Sequence, residues 1–433
     1  MRNDTRTLIA VLALLMTTIA VASQNTPGTL PTPAARPPAG QPAFTAERLA
    51  RIDRWLGQYV DENRVAGAVA LVLRDGQPVY ERTVGWSDKE ARRPMATDTI
   101  FRVASHTKAI TSVAVLSLVE EGKIGIDDPV SRFIPAYAQT TVAIRKEGGG
   151  VDIVPATRLI TVRDLLTHTA GISYGGEPHL AAMYEAKGLG PAAGYGWYTA
   201  DKDEPTCATV ERLASLPFVA QPGEAWGYGY STDVLGCVVE RASGAALDHV
   251  VRTRITGPLG MVDTHFFLPQ AKSHRLATVY SSGPDGTIVR APEGARGQGA
   301  YVDGPRRSFS GGAGLLSTAR DYARFLEMIR NGGALGEVRI LAPRSVRLMT
   351  TNQIGTLHWT KGLGFGFGFE TTDRFGASSM DSPGAFGWGG AYGSIYRVDP
   401  EAGLTMVLLI QLLPNSTDIR TKFPTMVYQA LVR

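Results

Sequence analysis

Ser105 and Lys108 stand one helical turn apart in Phe101-Arg102-Val103-Ala104-Ser105-His106-Thr107-Lys108. On a helix that spacing projects both from one face, about 5–6 Å apart at Cβ. A serine hydroxyl is a weak nucleophile and needs a neighbouring base. A lysine serves as that base only as the neutral amine, a form that burial and a helix N-terminus both favour. The unpaired N–H groups of a first helical turn would also stabilise negative charge developing beside the serine. The chemistry implied is acyl transfer through serine. The competing reading is an N-capping serine with a lysine that reaches water, so the weight falls on what surrounds the pair.

Two later segments have residue types that could complete such a site. In Gln221-Pro222-Gly223-Glu224-Ala225-Trp226-Gly227-Tyr228-Gly229-Tyr230-Ser231, glycines flank Tyr228 just before an apolar helical stretch. A tyrosine in so tight a loop can aim its hydroxyl into a cleft, and a phenol beside an ammonium is easier to ionise. It can equally be an aromatic plug at a helix start. In Phe386-Gly387-Trp388-Gly389-Gly390-Ala391-Tyr392-Gly393-Ser394 the glycines read as a strand whose bare backbone admits a close neighbour. The Ala391 N–H is a candidate partner for the Ser105 N–H in an oxyanion hole; the alternative is a β-bulge or packing glycines. A rival nucleophile is Ser173, in the G-x-S-x-G stretch Gly171-Ile172-Ser173-Tyr174-Gly175. That motif needs a strand before it and a helix after it, whereas a helical pattern precedes it and Gly176 and Pro178 follow. His168 stands alone and reads as a structural hydrogen-bonder.

These residues must be positioned by a large framework. After Lys108 no charge appears until Glu120, and Ile110, Val113, Val115, Leu116, Leu118 and Val119 surround the axis, so this helix is predicted to be buried, with Gly122 just past its end. Residues 45–60 read as a helix capped by Thr45. Gly67 to Arg74 and Gln77 to Val84 read as a hairpin turning at Asp75-Gly76. Arg163 to Gly171 suggests a short helix ended by Gly171. Phe365, Phe367 and Phe369 alternate with glycines as one strand, Ser394 to Val398 and Leu404 to Ile410 form a hairpin, and Thr421 to Val432 closes with a helix. Met406 to Ile410 is apolar without a break, as in a strand buried on both faces.

The N-terminus has the pattern of a secretory signal peptide, residues 1–22: Arg2 and Arg6, an apolar run from Leu8 to Ala20, and a small-residue cleavage site near Ala22. Residues 23–43 form a Pro-rich linker. The expected destination is therefore periplasmic or secreted, without stable membrane insertion once the signal is cleaved. The formal net charge of +4 is mild and holds no basic run, which excludes a nucleic-acid partner. No Cys/His cluster has metal-ligand spacing, so neither metal nor cofactor is expected. Cys207 and Cys237 are the two cysteines; export permits a disulfide, and a buried free thiol in the apolar stretch around Cys237 is the alternative.

The order of Ser105-x-x-Lys108, Tyr228-x-Tyr230 and Trp388-Gly389-Gly390 resembles the serine β-lactamase and penicillin-binding superfamily in its class C-like branch. The likeness extends to Ile126-Asp127-Asp128-Pro129-Val130, Pro222-Gly223-Glu224 and Ser310-Gly311-Gly312-Ala313-Gly314-Leu315. It implies an α+β fold, a β-lactamase/transpeptidase-like antiparallel sheet flanked by helices plus an all-helical lobe. The serine hydrolase domain would span 44–433, its α/β lobe formed by 44–104 and 310–433 and its helical lobe by 105–309. It also implies Ser105 as the acylated nucleophile, with Lys108 and Tyr228 handling protons. Two positions depart from the superfamily pattern: Tyr230 replaces an asparagine, and Trp388 replaces a lysine or histidine. Trp-Gly-Gly is similar to the family VIII carboxylesterases. Without that cation to pair with a substrate carboxylate, the expected activity is acyl-enzyme cleavage of small neutral esters, with Trp388, Gly389, Gly390, Ala391 and Tyr230 around the substrate. The alternatives are a class C-like β-lactamase, a D-alanyl-D-alanine peptidase, or a degenerate penicillin-recognising module with no activity.

Overall fold

Helix α1 (Ala46–Asp61) begins where Thr45 Oγ1 accepts the Arg48 N–H, and it buries Ile52, Leu56 and Tyr59 along one face. The computed structural model describes residues 44–147, 149–190 and 200–432; the expected signal peptide and linker lie outside the described residues. Strands β1 (Gly67–Arg74) and β2 (Gln77–Asp88) pair with Arg74 opposite Gln77, leaving Asp75 and Gly76 as a two-residue loop. Their φ angles of 49° and 77° give the doubly left-handed turn whose twist suits a hairpin. The return strand runs past Val84 because Trp86 and Asp88 pair with β3 (Arg93–Pro94).

The C-terminal part supplies β4 (Leu363–Phe365), β5 (Glu370–Thr372), β6 (Phe386–Gly389), β7 (Ile395–Asp399) and β8 (Leu404–Leu409). The strands form one eight-stranded antiparallel sheet in the order β4-β5-β6-β7-β8-β1-β2-β3. Strand β8, paired with β1 from Val69↔Leu409 to Arg74↔Leu404, joins the two ends of the chain. Side chains of β1 alternate between faces: Ala68, Ala70 and Val72 pack with Ile52 and Leu56 of α1 and with Ile419, Phe423 and Val427 of α6 (Ile419–Tyr428). Val69, Leu71 and Leu73 pack on the opposite side. There lie α2 (Thr107–Glu120) and α5 (Ala319–Arg330), so β8 is covered on both faces and its unbroken apolar run follows. The two ends meet directly: Phe44 bridges Leu431, Arg48 Nη1 donates to Gln429 O, and Gln429 Nε2 donates to Arg48 O at 3.0 Å.

Every residue of α2 from Thr107 to Leu118 is buried. Its Ile, Val and Leu side chains each contribute about 1.5–3 kcal/mol by burial, which offsets holding Lys108 inside. The intervening segment contains α3 (Val162–Leu166) and α4 (Ser231–Ser243), and α4 packs on α2.

Several expectations are corrected. The segment 105–309 is not all helical: Thr141–Arg145, Val151–Pro155 and Pro217–Phe218 form a small sheet, and Tyr280–Ser282 pairs with Ile288–Arg290. Phe365, Phe367 and Phe369 are not one strand. The chain reverses between β4 and β5, where the Gly366 N–H bonds Phe369 O and Gly368 takes φ +94°. The aromatic alternation mimics strand periodicity, but here all three rings are buried around a turn. Cys207 and Cys237 form a disulfide that ties the helix Thr206–Leu213 to α4. The last helix starts at Ile419, two residues earlier than the pattern suggested, and contains Pro424.

Candidate active site

The segment before α2 is a tight 3₁₀ turn, Ala104–His106, and not the first turn of α2 itself. Ala104 takes φ +44°, a conformation that costs energy in a residue with a Cβ. The turn leaves Ser105 only 5% exposed at the base of a cleft of about 420 Å³. That cleft is lined by Ser105, Tyr228, Trp388, Gly389, Gly390 and Ala391, together with charged side chains from β5, β7 and α6. Among the described residues, no backbone carbonyl takes the N–H of Ser105 or of Ala391. Ala391 lies in the turn Gly390–Gly393 between β6 and β7, not in a strand as the glycine run suggested; the turn is closed by the Gly390 N–H on Ser394 O at 2.8 Å. A Cβ on Gly390 would sit 2.9 Å from Val103 O, so this glycine lets the turn approach the backbone beside the serine.

Lys108, 2% exposed, is held from three directions. Its Nζ donates to Gly312 O at 2.8 Å, to Tyr174 Oη at 3.0 Å and to Ser105 Oγ at 3.4 Å, and it lies 4.7 Å from the centre of the Tyr228 ring. The Gly312 carbonyl is fixed by Asp233 of α4, whose Oδ1 accepts from Ser310 Oγ and from the Gly312 N–H at 3.2 Å. Burial raises the Asp233 carboxyl, and the Lys108 charge opposes that rise. Burial and then the neighbouring Tyr228 push the Tyr174 hydroxyl well above the usual tyrosine range, so it faces Lys108 as a neutral oxygen.

Tyr228 is placed by its flanking glycine and by two aromatic neighbours. The Gly227 N–H donates to His168 O at 2.8 Å. Helix α3 ends at Leu166, and His168, at φ +58°, reverses the chain three residues before Gly171. The His168 ring lies 4.8 Å from that of Tyr228; burial, with the Lys108 charge second, drives its imidazole well below the ordinary range, so it stays neutral. On the other side, Trp388 Nε1 donates to Tyr228 Oη at 2.8 Å.

The structure thus brings Ser105, Lys108, Tyr228, Trp388, Gly389, Gly390 and Ala391 together. It does not bring Tyr230 to the cleft. Tyr230 is buried, its ring edge-on to Tyr174 and its Oη accepting the Gly190 N–H at 3.1 Å. Two residues after Tyr228 and immediately before α4, its side chain turns toward the interior. Ser173 is likewise apart: its Oγ donates to Glu177 at 2.9 Å, and residues 171–174 have neither a strand before them nor a helix directly after them. Tyr174, Asp233 and His168 were missed as site residues. The only sequence signal for Asp233 is an acid inside an otherwise apolar helix start, and Tyr174 sits inside the very motif that pointed to Ser173.

Residues 52–429 match the Beta-lactamase family. Esterase EstB of Burkholderia gladioli is 38% identical over 382 residues, covering 84% of this chain and 90% of that one. A putative D-alanyl-D-alanine carboxypeptidase of Escherichia coli K12 is 28% identical over 384 residues, covering 84% and 82%. Among solved structures, EstCE1, described as a hydrolase with promiscuous acyltransferase activity, superposes with a TM-score of 0.74 at 28% identity, covering 89% of this chain and 99% of that one. A lysine within reach of a buried serine, a tyrosine over that lysine and Trp388-Gly389-Gly390 beside them are here gathered at one cleft, and the chain belongs to the Beta-lactamase family as a serine hydrolase on the side of its family VIII esterases.

Proposed function

We propose that this chain is an exported carboxylesterase that cleaves small esters through an acyl-enzyme on Ser105. The observation that carries the reading is the shared cleft of Ser105 and Tyr228 with Lys108 Nζ 3.4 Å from Ser105 Oγ and the Trp388 indole on Tyr228 Oη. In the first step Ser105 Oγ attacks the ester carbonyl carbon and its proton passes to Lys108 or Tyr228. The N–H groups of Ser105 and Ala391 receive the oxyanion. The carbon–oxygen bond to the alcohol breaks, and the stored proton goes to the leaving oxygen. Water then attacks the acyl-serine, releasing a carboxylic acid and restoring the hydroxyl. An alcohol in place of that water would give acyl transfer, and the description of EstCE1 supports the same partition here. Export rests on the N-terminal pattern of residues 1–22; among the described residues no helix is long and apolar enough to cross a membrane.

Trp388 and Tyr228 offer the acyl group an aromatic wall. The test sets p-nitrophenyl acetate to hexanoate beside nitrocefin and a D-Ala-D-Ala peptide. Ser105→Ala should abolish ester hydrolysis and labelling by a fluorophosphonate, whereas Ser173→Ala should leave both nearly intact. Faster turnover of nitrocefin or of the peptide than of the esters would replace this reading with a β-lactamase or a peptidase.

A further inference from the structure

Strands β4 and β5 bring two loops to one end of the sheet, beside the cleft. Leu363 pairs with Thr372, and the N–H groups of Asp373 and Arg374 both donate to Gly362 O, at 2.9 and 3.2 Å. The loop before β4 and the loop after β5 therefore leave the sheet side by side. Both turn large apolar side chains to water: Trp359 is 72% exposed and Phe375 63%, and Leu357 and Met380 on the same two loops are exposed as well. Trp359 is nevertheless held in place. Its ring meets Trp226 edge-on at 4.4 Å, and Trp226 lies stacked 6.3 Å from Tyr228. The second loop reaches the cleft itself, since Ser378 and Ser379 line it. Basic residues stand beside the two aromatic tips, Lys361 two residues after Trp359 and Arg374 next to Phe375, both exposed. Among the described residues neither is in an ion pair. The acid between the loops, Asp373, is engaged by Asn352 Nδ2 at 2.6 Å and by Thr371 Oγ1 at 3.1 Å.

We infer that these two loops form a docking surface for anionic lipid, with Trp359 and Phe375 set at headgroup level and Lys361 and Arg374 against the phosphates. Exposed apolar groups gathered beside a cleft mark an interaction surface. A lipid interface fits the chemistry of this one. Indole and phenyl rings settle at the headgroup boundary, and basic side chains keep their charge in water while their stems lie on apolar material. A bilayer also accepts separate protruding tips, which a protein partner would have to match in shape. Negative headgroups draw Lys361 and Arg374 from solution over about one Debye length. Docking in this orientation would place the cleft beside esters dissolved in the lipid. Binding here needs no catalytic step, so it goes beyond the esterase reading above.

Cys207 and Cys237 are joined and the sequence has no other cysteine, so an added one is the single free thiol to label. Phe375→Cys carrying a nitrobenzoxadiazole probe is mixed with vesicles of phosphatidylcholine, alone or with phosphatidylglycerol. Its emission should rise and move to the blue on the mixed vesicles, and fall back as added salt screens the attraction. The same probe on Val289→Cys, an exposed site outside the two loops, should not respond. The N-terminal segment is the same in every variant, so the difference between probe positions reports the loops. In vesicle sedimentation, Trp359→Ser with Phe375→Ser, and separately Lys361→Glu with Arg374→Glu, should each weaken binding by about tenfold or more. Turnover of dissolved p-nitrophenyl acetate should change by less than about twofold, as expected for exposed side chains. A silent probe at position 375, or an equal response to neutral and anionic vesicles, would overturn the proposal. So would a lipid-free dimer in sedimentation velocity that Trp359→Ser with Phe375→Ser abolishes, since a second copy would then cover the patch. Lipid binding and Ser105-dependent ester hydrolysis can each be lost without the other, so the two readings fail separately.

Discussion

Lys108 is the residue around which the site's geometry closes. Gly312 O, Tyr174 Oη and Ser105 Oγ surround its Nζ, and the Tyr228 ring covers it. An amine so surrounded has one rotamer, so the serine always meets it in the same direction. Trp388 acts one step further out, by donating to Tyr228 Oη. Trp388→Phe keeps a ring against Tyr228 and deletes that donor. Loss of one neutral hydrogen bond is worth about 0.5–1.5 kcal/mol, so kcat on p-nitrophenyl butanoate should fall about 3- to 10-fold with KM little changed. Unchanged kcat would mean that Tyr228 needs no partner from β6. Ser105 and Lys108 were legible in the sequence because one helical turn determines their relation locally. The bond from Trp388 to Tyr228 was not, since no spacing along the chain encodes a contact across 160 residues.

Among the elements, the turn between β6 and β7 carries the closest tolerance. Its Gly390 approaches Val103 O, immediately before the strained Ala104 and Ser105. Gly390→Ala would place a Cβ 2.9 Å from that carbonyl, too near for a backbone neighbour to tolerate. The turn must then move away from the serine, carrying the Ala391 N–H with it. Loss of one oxyanion donor typically lowers kcat by about 10²–10³-fold; a partial displacement should give at least about tenfold, with thermal stability reduced but the fold retained. Wild-type kcat in Gly390→Ala would remove Ala391 from the oxyanion site. The same scale explains where the sequence misled. The buried α2, the Asp75-Gly76 hairpin and the two-faced β8 were readable because their patterns reflect burial directly. Gly364 to Phe369 was not, since a period of two describes both a strand and rings gathered about a reversal. The strands at 141–155 were hidden for a related reason: they are short, half exposed and lack alternation.

For the molecule as a whole, three histidines lowered by burial set the response to acid. His106 lies between Tyr322 and Tyr396, and burial, with the charge of Arg420 adding to it, lowers its pKa from 6.5 to about 3. His168 is shifted in the same direction, and burial, with the Lys272 charge second, lowers His265 to about 4. Each remains neutral in the folded chain while its unfolded counterpart takes a proton below about pH 6.5. The unfolded state then binds more protons, so the stability present above that pH is lost as pH falls toward 3. The loss approaches about 1.4 kcal/mol per pH unit for each histidine. Glu204, held to about 2 by Arg212 despite its partial burial, adds its own loss only in the more acidic window below its unfolded value of 4.5. Urea midpoints at pH 7.5 and pH 5 should therefore differ clearly, and His106→Phe should shrink the difference by about a third. An undiminished difference would mean that His106 is not the neutral group. The pairing of Phe44 with Leu431 and of Arg48 with Gln429 has a separate consequence. The two ends of the folded body lie in register beside each other, so the fold contains a nearly closed ring of chain. A short peptide could seal that ring, and the break could be moved to an exposed pair such as Gly149-Gly150 without altering any pairing of the eight-stranded sheet. Tyr228 and Ser105 would then be read out in the opposite order by the ribosome and still line the same cleft.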